Sequence, residues 1–226
     1  MTTHSNIDIL PVAPLKIIAM NNCRQLGEQV SEILHNIRTS SKRTVHFSEE
    51  VRGYIQDDYL VSYHMETHHT GERHAVIDDT IRGCDLFIMT DVVNRYSAAE
   101  GTPKHGYMTP DEHIMDLKRI IAACHGTAHR INVIMPYLYA GRYNNRKNLE
   151  SLDCALVLQD MIKMGITNII TFDAHEPRVQ NAIPLHGFDN FTPPYQFIKA
   201  LLKKEPNMVI DKDHLMAISP DEGAMG

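Results

Sequence analysis

The 226-residue sequence has no tryptophan, only four cysteines, and no excess of basic residues, its formal net charge being −6. Without surplus Lys and Arg there is little to displace counterions from a nucleic-acid backbone, which excludes a general nucleic-acid binder. A small anionic substrate is not excluded, since a few local cations suffice for it. Cys23, Cys84, Cys124 and Cys154 form no C-x-x-C and no zinc-type spacing. They are expected as free, buried thiols in a reducing compartment. No apolar run approaches the ~18 residues of a membrane span. The N-terminal stretch MTTHSNIDILPVAP lacks a basic n-region and a long apolar h-region. A cytoplasmic protein with no membrane partner is therefore expected. What is present is ordinary for a globular chain: 43% hydrophobic and 22% charged residues, long enough for one large domain or two small ones. The 14 histidines are scattered mostly over loop-like stretches, where exposed or structural roles are the default.

Strand-like and helix-like patterns alternate along the chain. Residues 1–14 read as a leader containing Pro11 and Pro14, and Lys16 to Met20 as a first strand. Leu26, Val30, Ile33, Leu34 and Ile37 fall at helical spacing and predict an amphipathic helix over about 22–38. Tyr59–His64 and His74–Ile77 read as the arms of a hairpin with Gly71 in its turn region. Asp85–Thr90 is a buried strand. Thr109-Pro110-Asp111-Glu112 is a helix start, with Thr as N-cap, Pro at the first position and Glu three residues after the cap. Ile114, Leu117, Ile120, Ile121 and Cys124 form the buried stripe of that helix. Arg130–Pro136 is a strand, and 151–164 a helix stopped by Gly165. Ile169–Phe172 is a further strand, followed by a helix near 194–204 and a last strand, Leu215–Ser219. This alternation predicts an α/β protein whose mostly parallel sheet carries helices on both faces, with a protruding β-hairpin.

Three places carry chemistry. In NIITFDAHEPRVQNAIP the apolar run ends in Asp173-Ala174-His175. In an open α/β sheet ligands bind at the carboxyl ends of the strands, where a carboxylate and an imidazole two residues apart can converge on an ion or a phosphate. The alternative is a satisfied polar pair at a strand end. From ligand type alone, imidazole suggests zinc or another transition metal rather than magnesium. In NVIMPYLYAGRYNNRKNLESLDCA a strand runs into a loop bearing Arg142, Arg146 and Lys147 ahead of a helix. Guanidinium groups and a helix N-terminus both suit polyphosphate. In ISPDEGAMG, Asp221 stands at the end of an expected strand, and Gly223 lets backbone approach a ligand. Asp78-Asp79, which imitates a two-acid ribose grip, runs into Ile81-Arg82-Gly83 rather than a phosphate cradle. It reads as solvated acids at the base of the hairpin.

These segments, with HHTGERHAVIDDTIRGCDLF, match one family in order. The chain resembles the N-terminal region of ribose-phosphate pyrophosphokinase (phosphoribosyl pyrophosphate synthetase) in a divergent bacterial form. The resemblance covers roughly residues 15–226 and implies a phosphoribosyltransferase-like domain. Ile81-Arg82-Gly83-Cys84-Asp85-Leu86-Phe87 fits the family's R-G-x-D segment. By the same resemblance Glu72 matches the nucleotide hairpin, where His68 replaces an adenine-stacking phenylalanine. Arg142 matches a nucleotide-contacting arginine, Asp173 and His175 the metal pair, and Asp221 a position beside ribose and a second metal. Tyr143 stands where the family usually has Gln, and Lys147 where it has an acid. Gln180, Asp189 and Asn190 fall near the family's regulatory phosphate site.

The implied reaction moves the diphosphoryl group of Mg·ATP to ribose 5-phosphate, with magnesium as cofactor, ATP as substrate and a homo-oligomer as the assembly. Arg142 and Asp221 are the expected catalytic residues. His68, Glu72, Arg142, Tyr143, Arg146 and Lys147 are expected to bind nucleotide, and Asp173, His175 and Asp221 to bind metal. Because the sequence ends inside a loop motif, at Gly226 shortly after Ser219-Pro220-Asp221, the expectation is a chain lacking the family's C-terminal catalytic domain and inactive alone. A non-catalytic regulatory or assembly subunit stays open as the alternative.

Overall fold

The computed structural model describes residues 11–40, 52–95, 107–216 and 218–219. Predominantly apolar runs form β1 (Leu15–Ala19), β4 (Asp85–Met89), β5 (Arg130–Met135) and β6 (Ile166–Phe172). With β7 (Gly187–Phe191) they make a parallel sheet of order β1-β4-β5-β6-β7. Strands buried on both faces need helices on both faces, and the chain supplies them. Side chains of alternate residues point to opposite faces. On one face Ile18, Leu86, Ile88, Val133 and Ile169 pack with Leu117, Ile120 and Ile121 of α2 (Pro110–Cys124) and Leu158 and Met161 of α3 (Asp153–Lys163). On the other, Ile17 and Met89 pack with Val30 and Leu34 of α1 (Arg24–Ser40). Each fully buried Leu or Ile contributes roughly 1.5–3 kcal/mol over the exposed state.

Local signals account for the helix ends. Thr109 Oγ1 accepts from the Glu112 N–H at 3.3 Å, and the Thr109 N–H donates to Glu112 Oε2 at 2.7 Å, closing the expected capping box. The buried stripe of α2 is the one expected, Ile114, Leu117, Ile120, Ile121 and Cys124. Gly165, at φ +94°, ends α3, and a Cβ there would meet His125 Nδ1 at 2.8 Å. The four cysteines are free and buried. Burial pushes the Cys124 thiol up to about 12 and the Cys154 thiol to about 11, which disfavours the reactive thiolate form. Among the described residues no helix is long and apolar enough to cross a membrane.

Four expectations need correction. The helix α1 is amphipathic, but its packed face is only in part the expected apolar stripe: Val30 and Leu34 pack against the sheet, Ile33 is 56% and Ile37 57% exposed, and Gly27 and Ser31 are buried. The reason is close packing on β1. A Cβ on Gly27 would lie 2.2 Å from Ala19 Cβ, and Ser31 Oγ accepts the Tyr59 N–H at 2.9 Å and donates to Asp58 at 2.8 Å. Second, the expected first hairpin arm divides. Tyr59 to Val61 runs beside β1, where the Ile17 N–H donates to Tyr59 O and the Val61 N–H to Ile17 O, both at 2.8 Å. The hairpin itself is β2 (Tyr63–Thr67) against β3 (Arg73–Ile77), with Gly71 in the turn at φ +93°. It docks on α2 through Arg73 and Asp116, 2.7 Å apart and both largely buried.

Third, β7 was not expected. Its sequence GFDNF has glycine, Asp and Asn at strand positions, which local propensity disfavours, and it forms through pairing with β6. Fourth, Leu215, Met216, Ile218 and Ser219 are in no strand. They belong to a second unit, Thr192–Gly226, whose one helix among the described residues is α4 (Pro194–Lys204), at the expected place.

Candidate active site

The sheet's carboxyl edge opens into a cavity of about 340 Å³ lined by Tyr137, Leu138, Gly141, Arg142, Phe172, Asp173, Ala174 and His175. Arg142, Asp173 and His175, chosen from two separate sequence segments, thus line one space. The reason is the parallel pairing of β5 with β6, in which Met135 faces Thr171, so the loops leaving the two strands start side by side. The loop after β5 turns sharply: Ala140 has φ +54°, the Gly141 N–H donates to Leu138 O at 3.1 Å, and the Tyr143 N–H to Ala140 O at 2.8 Å. A Cβ on Gly141 would sit 3.1 Å from the Leu138 oxygen, so the residue before Arg142 is glycine for close approach. After β6, Asp173 takes a left-handed conformation at φ +50°, uncommon for a residue with a side chain but tolerated by Asp. Its N–H donates to Phe191 O at 2.9 Å, and the next N–H, of Ala174, donates to Asn190 Oδ1 at 2.9 Å.

Asp173 and His175 are exposed, whereas Ala174 between them is buried among Val179 and Ile183. Glu176 is engaged elsewhere. Arg178 holds its carboxyl down to about 2, by side-chain hydrogen bonds first and its backbone N–H second. A second cavity, about 550 Å³, adjoins the first and shares Tyr137, Gly141 and Arg142 with it. Tyr143 lines this one, with Val92, Asp111 and Tyr139. The Tyr139 hydroxyl donates to Asp111 Oδ1 at 2.6 Å, and burial, then that bond, push its pKa up to about 12.

The other expected site residues lie apart. His68 and Glu72 are exposed at the hairpin tip, where the His68 N–H donates to Glu72 O, and neither lines either of these two cavities. Arg146 and Lys147 are exposed and line neither cavity. Asp221 lies outside the described residues. Asp78 and Asp79 sit at the hairpin base, Asp79 accepting the Ser62 N–H at 2.7 Å and Asp78 facing His64 at 3.0 Å. Asp189 accepts from Asn168 at 2.6 Å. The R-G-x-D segment lies at the opposite edge of the sheet. There Asp85 receives two hydrogen bonds from Arg130, one of them 2.8 Å, and another of 2.8 Å from Asn132. Sequence reasoning did not single out Tyr137 or Phe172, though each sits directly at a strand end, nor the contact from Asn190 to Ala174, for which the sequence carries no local signal.

Asp173 and His175 offer one carboxylate and one imidazole. Among the described residues no group of three His, Cys, Asp or Glu side chains is placed to hold a metal ion. Two donors on an open ledge do not make a closed zinc site. They fit a largely hydrated divalent cation whose remaining ligands are water and phosphate oxygens.

Comparison with known proteins gives the family and the fold. Residues 15–165 match the model of the N-terminal domain of ribose phosphate pyrophosphokinase. A ribose-phosphate pyrophosphokinase of Staphylococcus haemolyticus is 28% identical over 159 residues, covering 69% of this chain and 43% of that protein. Ribose-phosphate pyrophosphokinase 1 of Listeria monocytogenes is 26% identical over 215 residues, covering 93% of this chain and 54% of that protein. The chain spans about half the length of the curated relatives it matches. The crystal structure of phosphoribosylpyrophosphate synthetase from Mycobacterium smegmatis shares the fold, with a TM-score of 0.63 at 18% identity over 86% of this chain and 54% of that one. On its domain match the chain belongs to the ribose-phosphate pyrophosphokinase family, with residues 15–165 as the N-terminal domain.

Proposed function

We propose that the cavity at the carboxyl edge of the sheet is the metal–polyphosphate end of a ribose-phosphate pyrophosphokinase site, in which the diphosphoryl group of Mg·ATP passes to ribose 5-phosphate. The observation that supports this most is the convergence of Arg142, Asp173 and His175 on one space. Asp173 and His175 would hold hydrated magnesium, which when bound neutralises phosphate charge. Arg142 orients the polyphosphate through its planar fork of donors. Such phosphoryl chemistry rests on positioning and electrostatics and needs no covalent protein intermediate. Tyr143, on the neighbouring cavity, lies within the same nucleotide region. Arg146 and Lys147 contribute a diffuse positive field, and Asp221 acts beside the ribose. In this reading the protein works in the cytoplasm as a homo-oligomer, which light scattering after gel filtration tests.

A non-catalytic regulatory or assembly subunit is the second reading. It is favoured by the exposed hairpin tip, where His68 and Glu72 stand away from both cavities. Calorimetry with ATP, with and without Mg²⁺, separates the two. The first reading expects metal-dependent ATP binding that Asp173→Ala and His175→Ala each weaken by about tenfold, roughly 1.4 kcal/mol, with melting temperature unchanged. Binding that ignores the metal and both substitutions refutes it. A coupled assay for AMP release that depends on ribose 5-phosphate then tests turnover.

A further inference from the structure

The two candidate metal donors stand on a turn that β7 holds in place. Asp173, in its left-handed conformation, turns the chain out of β6, and two successive amides are then fixed by two successive residues of the neighbouring strand. The Asp173 N–H donates to Phe191 O at 2.9 Å, and the Ala174 N–H to Asn190 Oδ1, also at 2.9 Å. The first bond continues the sheet ladder, in which Phe172 faces Phe191, and any residue at 191 would provide it. The second is a side-chain bond that depends on the identity of residue 190. Ala174 is only 8% exposed, with its side chain in the core. Its N–H has no ladder partner, and leaving a buried N–H unpaired costs about 1–3 kcal/mol. Without Asn190 the turn would therefore shift to bring that amide to water. Because Ala174 lies between Asp173 and His175, any shift of its peptide changes the relation of both side chains to the cavity. Phe191 adds a brace of its own, its ring 5.9 Å from that of Phe172, which lines the cavity.

We propose that Asn190 is a positioning residue for the Asp173–His175 pair, setting the spacing of a carboxylate and an imidazole for a hydrated divalent cation. It does not line the cavity; it acts through the Ala174 amide. The proposal rests on the reading of the cavity as a metal–polyphosphate site. Partners that orient metal ligands from behind typically change metal affinity about 10–100-fold when removed.

The test uses the full 226-residue chain with Mn²⁺ and ATP as probe, following free Mn²⁺ by electron paramagnetic resonance. Alongside it, exchange of the Ala174 amide hydrogen is measured by NMR. Asn190→Ala is expected to weaken Mn·ATP binding by about tenfold and to speed Ala174 exchange by a similar factor, with little change in melting temperature. Asn190→Asp, which keeps an acceptor oxygen at the same reach, restores most of both. Unchanged Mn·ATP affinity in Asn190→Ala, beside a wild type whose affinity depends on Asp173 and His175, overturns the positioning role alone. Wild-type binding that is insensitive to Asp173→Ala and His175→Ala overturns the metal-site reading and the positioning role with it. A loss in Asn190→Ala that tracks global unfolding, with no rescue in Asn190→Asp, also overturns the positioning role, since it marks Asn190 as merely structural.

Discussion

Replacing Asp85 by Ala asks whether the R-G-x-D-L-F segment serves stability or ligand binding. Asp85 begins β4 and accepts from Arg130 Nε and Nη2 and from Asn132 Nδ2, both residues of β5. Its side chain is 10% exposed and that of Arg130 38%. Removing one partner of a fully buried ion pair costs about 3–5 kcal/mol. That figure must be discounted here, because the half-exposed Arg130 can turn to water and exposed pairs contribute only about 0–1 kcal/mol. Asn132, 4% exposed, keeps a second acceptor in the Leu86 carbonyl at 3.2 Å, so its amide is not left wholly unpaired. The expected loss is therefore about 2–3 kcal/mol. For a chain of this size that is roughly 4–12 °C in melting temperature. Urea unfolding followed by circular dichroism measures it, with an unchanged slope. Mn·ATP binding below the transition should stay within about twofold of wild type, since the pair lies at the amino edge of the sheet, away from both cavities. A stability loss under about 0.5 kcal/mol, or lost nucleotide binding with stability intact, would refute the reasoning.

Three further outcomes are expected. Arg142→Ala should weaken ATP binding by about 30-fold, roughly 2 kcal/mol, and Arg146→Ala or Lys147→Ala by less, because only Arg142 lines the cavities; equal losses at all three in a binding titration would show one diffuse field instead. Gly27→Ala should destabilise the fold by about 1–3 kcal/mol, since its Cβ would lie 2.2 Å from Ala19 Cβ; a thermal melt equal to wild type would mean that α1 is free to move off β1. His113 is buried, and that burial lowers its pKa while its bond to Asn94 O opposes the shift. The unfolded chain then takes up the proton first, so stability present above the unfolded value of about 6.5 is lost as pH falls through the lower folded value. Unfolding free energies at pH 7, 6 and 5 should fall less steeply in His113→Gln, and identical slopes would exclude this assignment.

The α1 face and β7 show where local pattern and structure part. Leu26, Ile33 and Ile37 belong to the helical stripe, yet they are exposed, and the face that packs on β1 holds Gly27 and Ser31 beside Val30 and Leu34. Spacing reports that a helix is amphipathic. It cannot report that β1 comes so near that only glycine fits at position 27. In β7, Asp189 and Asn190 carry no strand propensity, and the strand exists because β6 offers an open ladder beside it. Of the last expected strand, Leu215–Ser219, the described residues Leu215, Met216, Ile218 and Ser219 are in no strand, apolar though most of them are.

Taken alone, the sequence determined the features that depend on neighbours along the chain. These are the strand–helix alternation, the capping box at Thr109, the glycine stop at Gly165, and Asp173-Ala174-His175 at the end of an apolar run. Each rests on contacts within a few residues, where spacing and residue type suffice. Tertiary structure alone decided which of these features meet. It brought Arg142 to Asp173 and His175 across the β5–β6 pairing, left His68 and Glu72 at a hairpin tip outside the cavity lining, moved Asp85 to the opposite edge of the sheet, and set Asn190 under the Ala174 amide. Those relations depend on strand order and register, which arise from packing between segments far apart in the chain and leave no periodic trace within any one of them.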